Sequence, residues 1–373
     1  MNTQNRCDTL EMKSQMRLQN AARESSQTGC VVIKSQLPKK IRRIAIVTDA
    51  WYPQVNGVVR TLATVVESLE DKGYVTRIIH PGLFTTLPLP GYGEIRLSLF
   101  PSRRVARILK DFHPDAIHIA TEGTLGLAAR RYCLLNELQF TTAYHTKFPE
   151  YLHVRTKLPL KVGYGIMRNF HNKAAAVLVA TESLKTELMQ HHFQNLTLWS
   201  RGVDTELFRP VPFRKRPASG PIMLYVGRVA PEKNIAAFLK LDLPGTKIVV
   251  GDGPSRKHLM RQFPDVVFAG YQSGCELATF YARADVMVFP SLTDTFGLVL
   301  LEANACGTPV AAFPVTGPRD VILPGFNGDL NWDLGRAIEG ALRVDRNSCR
   351  SIALGYSWEV CAQKFADSLV PVR

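Results

Sequence analysis

Short apolar runs alternate along this chain with stretches in which apolar residues recur every three or four positions. Ile44, Ala45, Ile46, Val47 and Thr48 form the first run and stop at Asp49, as in a strand buried on both faces of a parallel sheet. A loop from Ala50 to Asn56 leads to Gly57. Beyond it Val58, Leu62, Val65, Val66 and Leu69 keep helical spacing, and Gly73 stands where a helix would stop. A second strand follows at 75–79. This strand–loop–helix–strand unit opens a doubly wound α/β domain, and apolar runs at 116–119, 140–144 and 177–180, with helical segments between, continue it.

Residues 209–221, rich in Pro, Arg and Ser, read as a linker. The alternation then restarts, with strands expected at 222–226, 247–250, 266–268, 286–289 and 310–313. The pattern predicts an α/β protein of two Rossmann-like domains facing across a cleft, over 42–208 and 222–355. Residues 1–41 lack periodicity and read as a flexible basic extension. Residues 356–373 hold a final helix able to cross back to the first domain.

The formal charge is +14, and residues 1–43 contribute nine Lys/Arg against three Asp/Glu. A second concentration, Lys147, Arg155, Lys157, Lys161, Arg168 and Lys173, is opposed only by Glu150. Such surfaces attract nucleic acid, anionic membranes or acidic small molecules. Val162, Ile166 and Phe170 recur at helical spacing among these cations, giving the segment a membrane-surface character. No uncharged apolar run approaches the ~20 residues of a membrane span, and the first thirty residues lack the apolar core of a secretory signal. The expected location is cytoplasmic, with peripheral contact on the inner face of a membrane. Seven scattered cysteines without a Cys-x-x-Cys pair argue for free thiols.

Chemistry concentrates after the strands. Gly227-Arg228-Val229-Ala230-Pro231-Glu232-Lys233-Asn234 follows the strand at 222–226, and Arg228 and Lys233 can both reach one diphosphate. A solvated basic loop is the bland alternative. The segment from Ser291 to Glu302 follows another strand; there Gly297 lets a ligand approach, and the helix it opens offers backbone N–H groups to an anion. Asp294 and Glu302 are acceptors suited to sugar hydroxyls. Their bland alternative is a cap and a surface charge, but a charge inside the apolar run 298–301 would need a partner. Gly251-Asp252-Gly253-Pro254 reads as a generic tight turn. His145 stands at a strand's carboxyl end and points to the same cleft. There is no Asp-x-Asp pair to hold a metal against a nucleotide, no Gly-x-Gly-x-x-Gly after the first strand, and no Walker A loop.

The motifs TDAWYPQVNGVVRTL (48–62), TEGTLG (121–126), YHTKFPEY (144–151), RGVDTELFRP (201–210), YVGRVAPEKN (225–234), VVGDGP (249–254) and FPSLTDTFGLVLLEANACGTPVAA (289–312) occur in one order. Together they resemble the family 4 retaining glycosyltransferases of GT-B fold over nearly all of 43–370. They look most like the bacterial GDP-mannose-dependent α-mannosyltransferases and related diacylglycerol glycosyltransferases.

That resemblance implies an N-terminal acceptor domain and a C-terminal domain for the donor nucleotide. It implies no cofactor, and a nucleotide-diphosphate sugar (GDP-mannose or a UDP-sugar) as co-substrate. Arg228 and Lys233 would neutralise the departing diphosphate, and Gly57 would offer its N–H to the distal phosphate. Asp294 would contact the donor sugar with the backbone of Phe296 and Gly297, and His145 would meet that sugar from the first domain. Leu298 and Val299 would line the phosphate–ribose path, Glu302 would hold the ribose, and Glu122 would lie on the acceptor side. The chain departs from the family pattern in carrying Asp294 for a glutamate, Asn56-Gly57 for paired glycines, and a short segment between Asn234 and Lys247.

The expected reaction is a retaining, metal-independent transfer of a hexose, foremost mannose, to a lipid or glycan, with closure about the linker. The alternatives are a UDP-sugar-dependent diacylglycerol glycosyltransferase and, in another class, a nucleotide-sugar 2-epimerase. A phosphorylase-like enzyme would carry pyridoxal phosphate. Nucleic-acid binding has only the net charge behind it.

Overall fold

The computed structural model describes residues 41–54, 56–89, 92–211 and 220–373. The basic extension, but for Ile41, and most of the linker lie outside the described residues.

The first sheet is built from β1 (Arg43–Val47), β2 (Val75–Ile79), β5 (Ala116–Ile119), β6 (Thr141–Ala143), β7 (Ala176–Val179) and β8 (Leu196–Leu198), in the order β2-β1-β5-β6-β7-β8. Every registered pair is parallel. Between β2 and β5 the sequence pattern predicts helix alone. The chain instead first makes an antiparallel hairpin, β3 (Thr86–Leu89) and β4 (Tyr92–Ser98). The second sheet holds β9 (Ile222–Val226), β10 (Thr246–Val250), β11 (Val267–Gly270), β12 (Val286–Phe289), β13 (Val310–Ala312) and β14 (Gly328–Leu330). Its order is β11-β10-β9-β12-β13-β14, again parallel throughout.

The continuous apolar runs exist because each strand feeds two cores. Ala45 and Val47 enter one cluster and Ile44 and Ile46 the other, on opposite faces of the first sheet. In β9, Leu224 and Val226 face one side, Met223 and Tyr225 the other. A polar residue at any of these positions would be buried without a partner, so the alternation of an open sheet is missing.

Helix α1 (Gly57–Asp71) begins where Asn56 Oδ1 accepts from the amides of Val58 and Val59, both at 3.0 Å. Its buried stripe is Val59, Leu62, Val65, Val66 and Leu69, and Gly73 leaves it at φ 82°. Three further helices matter below: α2 (Thr124–Leu135), α3 (Leu160–His171) and α4 (Leu298–Ala305). The last, α5 (Trp358–Ser368), puts Cys361, Ala362 and Phe365 into the cluster of Ile44 and Leu62, so the chain ends on the first sheet's face. Trp199 Nε1 donates to Cys361 O at 3.1 Å there.

The basic segment differs from expectation in two ways. Phe170 is not on the amphipathic surface but in the core with Tyr164 and Met167, because α3 rolls that face onto the sheet. Lys147 is also buried, and its Nζ meets Glu187 Oε2 at 2.6 Å. Val162 and Ile166 are exposed, as are Lys157, Lys161 and Lys173. The side chain of Arg155 lies outside the described residues.

Candidate active site

In an open parallel sheet, the crevice lies beyond the carboxyl ends of the two central strands whose connections run in opposite directions. In the second sheet these strands are β9 and β12. Their outgoing loops are those carrying Arg228, Lys233 and Asp294. Lys233 Nζ lies 2.5 Å from Asp294 Oδ1, with each side chain 18% exposed. Burial works against the charge on Lys233, but Asp294, with the phenols of Tyr151 and Tyr225, outweighs it and holds the amine above the usual lysine range. Asp294 Oδ2 is shielded from solvent and has no hydrogen-bond partner. Tyr225 O–H donates to Arg228 O at 2.8 Å, which pins the basic loop at the arginine.

The turn at 251–254, generic in sequence, proves to be a support for that loop. Val229 N donates to Asp252 O at 2.9 Å, and Ser255 N to Val229 O at 3.0 Å. A Cβ at Gly251 would sit 1.9 Å from Gly227 O, and one at Gly253 would sit 2.4 Å from Val229 O. Two glycines therefore let one loop lie backbone to backbone against the other.

Helix α4 starts at Gly297, in the left-handed region at φ 86°, with no side chain capping it. Its N-terminus faces the first domain, since a Cβ at Gly57 would lie 3.6 Å from Leu298 Cδ1. Leu298 and Val299 pack against the core beneath the helix, and the Phe296 ring is itself buried there, so Phe296 can serve a ligand only through its backbone. Glu302 is 3% exposed and has the partners such burial demands. Tyr281 O–H donates to its Oε2 at 2.8 Å, and Arg60 Nη1 approaches its Oε1 at 2.5 Å. Arg60 comes from α1, so this ion pair bridges the two domains.

The first sheet supplies the facing wall where its own strand order reverses, between β1 and β5. Asp49, at the end of β1, is buried and accepts from Leu125 N at 2.8 Å, Gly126 N at 3.2 Å and Thr121 Oγ1 at 2.9 Å. It thereby ties the loop before Gly57 to the N-terminus of α2. Burial raises its pKa, against those hydrogen bonds. Glu122, in the same region, contacts His171 Nε2 at 3.0 Å, and His171 Nδ1 meets Thr142 Oγ1 at 2.9 Å. His145 lies at the end of β6 against the second domain, where Thr295 Oγ1 donates to His145 O at 2.7 Å. Burial, helped by the Arg201 cation, keeps its imidazole well below the ordinary histidine range. Further contacts cross between the domains, among them Lys147 Nζ to Thr316 Oγ1 at 3.2 Å, Thr316 Oγ1 to Glu187 Oε2 at 2.8 Å and Ser183 N to Asp320 Oδ1 at 2.9 Å.

The structure thus brings Lys233 to Asp294 and sets the loop of Arg228 and the start of α4 after the neighbouring strands β9 and β12, while Gly57 and His145 reach Leu298 and Thr295 from the first domain. Glu122 belongs to a separate hydrogen-bonded group with His171. Sequence reasoning singled out neither Asp49, Arg60 nor Arg201, each of which has a side-chain partner 56 or more positions away. Asp49 could have been suspected from its place at the end of an apolar strand. Among the described residues, no group of three or more His, Cys, Asp or Glu could hold a metal ion.

Residues 55–207 match Glycosyltransferase Family 4, and residues 220–339 match Glycosyl transferases group 1. The chain is 31% identical to the GDP-mannose-dependent alpha-mannosyltransferase of Mycobacterium tuberculosis, over 89% of this chain and 97% of that protein. The chain belongs to glycosyltransferase family 4. It is also 26% identical to the alpha-monoglucosyldiacylglycerol synthase of Streptococcus pneumoniae, over 87% of this chain and 83% of the relative. Sucrose-phosphate synthase of Thermosynechococcus elongatus superposes with a TM-score of 0.69 at 20% identity, covering 87% of this chain and 98% of the other. That likeness shows the GT-B fold. This glycosyltransferase is accordingly a nucleotide-sugar-dependent hexosyltransferase.

Proposed function

We propose that this glycosyltransferase moves mannose from GDP-mannose to a hydroxyl of a membrane lipid, with retention of configuration. The observation that carries the donor half is the Lys233–Asp294 pair, which joins the loop that also carries Arg228 to the loop that leads into the uncapped start of α4. A diphosphate in this crevice would meet two cations and a helix N-terminus, while a sugar would meet a carboxylate oxygen that now lacks a partner.

The acceptor oxygen bonds to the anomeric carbon on the face from which the diphosphate departs, through an oxocarbenium-like state, and its proton leaves with the phosphate oxygen. No protein nucleophile is needed. Arg228, Lys233 and α4 stabilise the charge that gathers on the leaving group. Glu302 takes the ribose hydroxyls once Arg60 moves aside.

For the acceptor half, the support is a surface. Leu160, Val162 and Ile166 are 39%, 46% and 56% exposed on α3, beside the exposed Lys157 and Lys161. Such a face sits on an anionic bilayer with its apolar side chains inserted. No helix among the described residues is long and apolar enough to cross a membrane.

Nucleotide release is the test, measured across GDP- and UDP-sugars with and without diacylglycerol lipids. GDP-mannose with lipid should be turned over fastest. A UDP-sugar preference overturns the donor assignment, and release without acceptor points to the epimerase. Lys157→Glu with Lys161→Glu should lose binding to phosphatidylglycerol vesicles; unchanged binding removes the membrane reading.

A further inference from the structure

Arg201 is a buried cation without an anionic partner among the described residues. It follows β8, is 4% exposed, and no described carboxylate pairs with it. Its Nη1 donates to Trp199 O at 2.6 Å and Ser200 O at 3.3 Å, and its guanidinium carbon lies 4.3 Å from the Trp199 ring centroid. Burial lowers its pKa to about 10, so it stays charged at neutral pH. A buried guanidinium held by neutral acceptors alone is costly, and such a group is kept where its charge is used.

Its remaining contact is with the site. Arg201 Nη2 lies 3.2 Å from His145 Nδ1. A guanidinium has only donors, so Nδ1 must present its lone pair. A neutral imidazole with an unprotonated Nδ1 carries its hydrogen on Nε2. An imidazolium would set N–H against N–H, and a second cation beside the first. The other titratable groups acting on this ring, His118 and His171, oppose protonation too. His145 Nε2 is shielded from solvent and has no partner. An N–H left so is a donor awaiting an oxygen. Across the domain boundary, Thr295 binds His145 O, and its neighbour Asp294 carries the unpartnered Oδ2. The two sides of the domain boundary therefore hold, in His145 Nε2 and Asp294 Oδ2, an unused donor and an unused acceptor, as polyhydroxylated ligands require.

We propose that Arg201 is the positioning residue for His145: it fixes the imidazole as the Nε2–H tautomer and presents that N–H to a hydroxyl of the transferred sugar. This rests on the donor-site reading given above. Without Arg201 the proton is free to sit on Nδ1, and the ring then meets the sugar with the wrong polarity.

The test uses the full chain with 15N-labelled histidine, His145 being assigned by the signals lost in His145→Gln. Long-range proton–nitrogen spectra should show Nε2–H in the wild type. They should show Nδ1–H, or a mixture, in Arg201→Met, together with a loss of kcat/KM on the order of tenfold. Arg201→Lys, which supplies another pure donor, should restore Nε2–H, and it keeps the test open if the methionine variant fails to fold. Nδ1–H in the wild type or in Arg201→Lys, or Nε2–H in folded Arg201→Met, overturns the positioning role. A changed tautomer with undiminished kcat/KM instead overturns the placing of the sugar against His145.

Discussion

Lys233→Ala removes a charge whose effect on the reaction can be worked from the site. The ammonium sits 2.5 Å from Asp294 Oδ1, with 18% of its side chain exposed. At about 4 Å, in an environment of effective dielectric about 20, two unit charges interact by about 4 kcal/mol. Only part of a unit charge develops on the diphosphate before the transition state, so about 3 kcal/mol is the expected loss. That is somewhat over a hundredfold in rate. The substitution also strands Asp294 Oδ1 beside the already unpartnered Oδ2, which costs about 1–3 kcal/mol of stability. Lys233→Arg, which keeps the charge, separates the two effects. The assay is nucleotide release at saturating donor, with urea unfolding in parallel. A folded Lys233→Ala enzyme whose kcat stays within about threefold of wild type would refute the assignment of charge stabilisation to this lysine.

Other expectations follow from neighbouring contacts. Asp49→Asn turns an NH2 toward the donors now shared among Leu125, Gly126, Thr121 and Thr124, so stability should fall by about 2–3 kcal/mol and donor KM should rise; unchanged urea unfolding would contradict this. Arg60→Ala frees Glu302 for the ribose, so GDP should bind several-fold more tightly by calorimetry, and weaker binding would show that Arg60 serves the nucleotide instead. His118 is buried and its pKa is lowered from 6.5 to about 3, so the folded state stays neutral where the unfolded chain takes up a proton. Its contribution is thus fully present above pH 6.5 and is lost as pH falls from 6.5 toward 3, by about 2 kcal/mol between pH 7 and pH 5. His118→Phe, set among Trp199 and Phe365, should reduce the acid-induced loss of stability by that amount; an identical loss in both proteins would refute it.

Much of this architecture was legible because the buried stretches of β1, β9 and β12 feed cores on both faces and are apolar. Their carboxyl ends then located the loops of Arg228 and Asp294. The β3–β4 hairpin and the short strands β8 and β14 do not stand out from loops as continuous apolar runs. Lys147 and Phe170 looked like surface residues because sequence spacing cannot show that Glu187 and the first sheet's core await them. Arg201 stood in a quoted motif, yet its use depends on His145, two strands away in the sheet. Loop glycines gave the least away: only the folded chain shows that Gly251 and Gly253 carry the basic loop.

The central claim is that a nucleoside diphosphate sits between the basic loop and the start of α4. A crystal structure of the enzyme with GDP tests this directly. The account predicts the diphosphate against Arg228, Lys233 and the first amides of α4, with Glu302 released from Arg60 onto the ribose hydroxyls. A diphosphate bound elsewhere, or an Arg60–Glu302 pair left intact with the ribose out of reach, would contradict it.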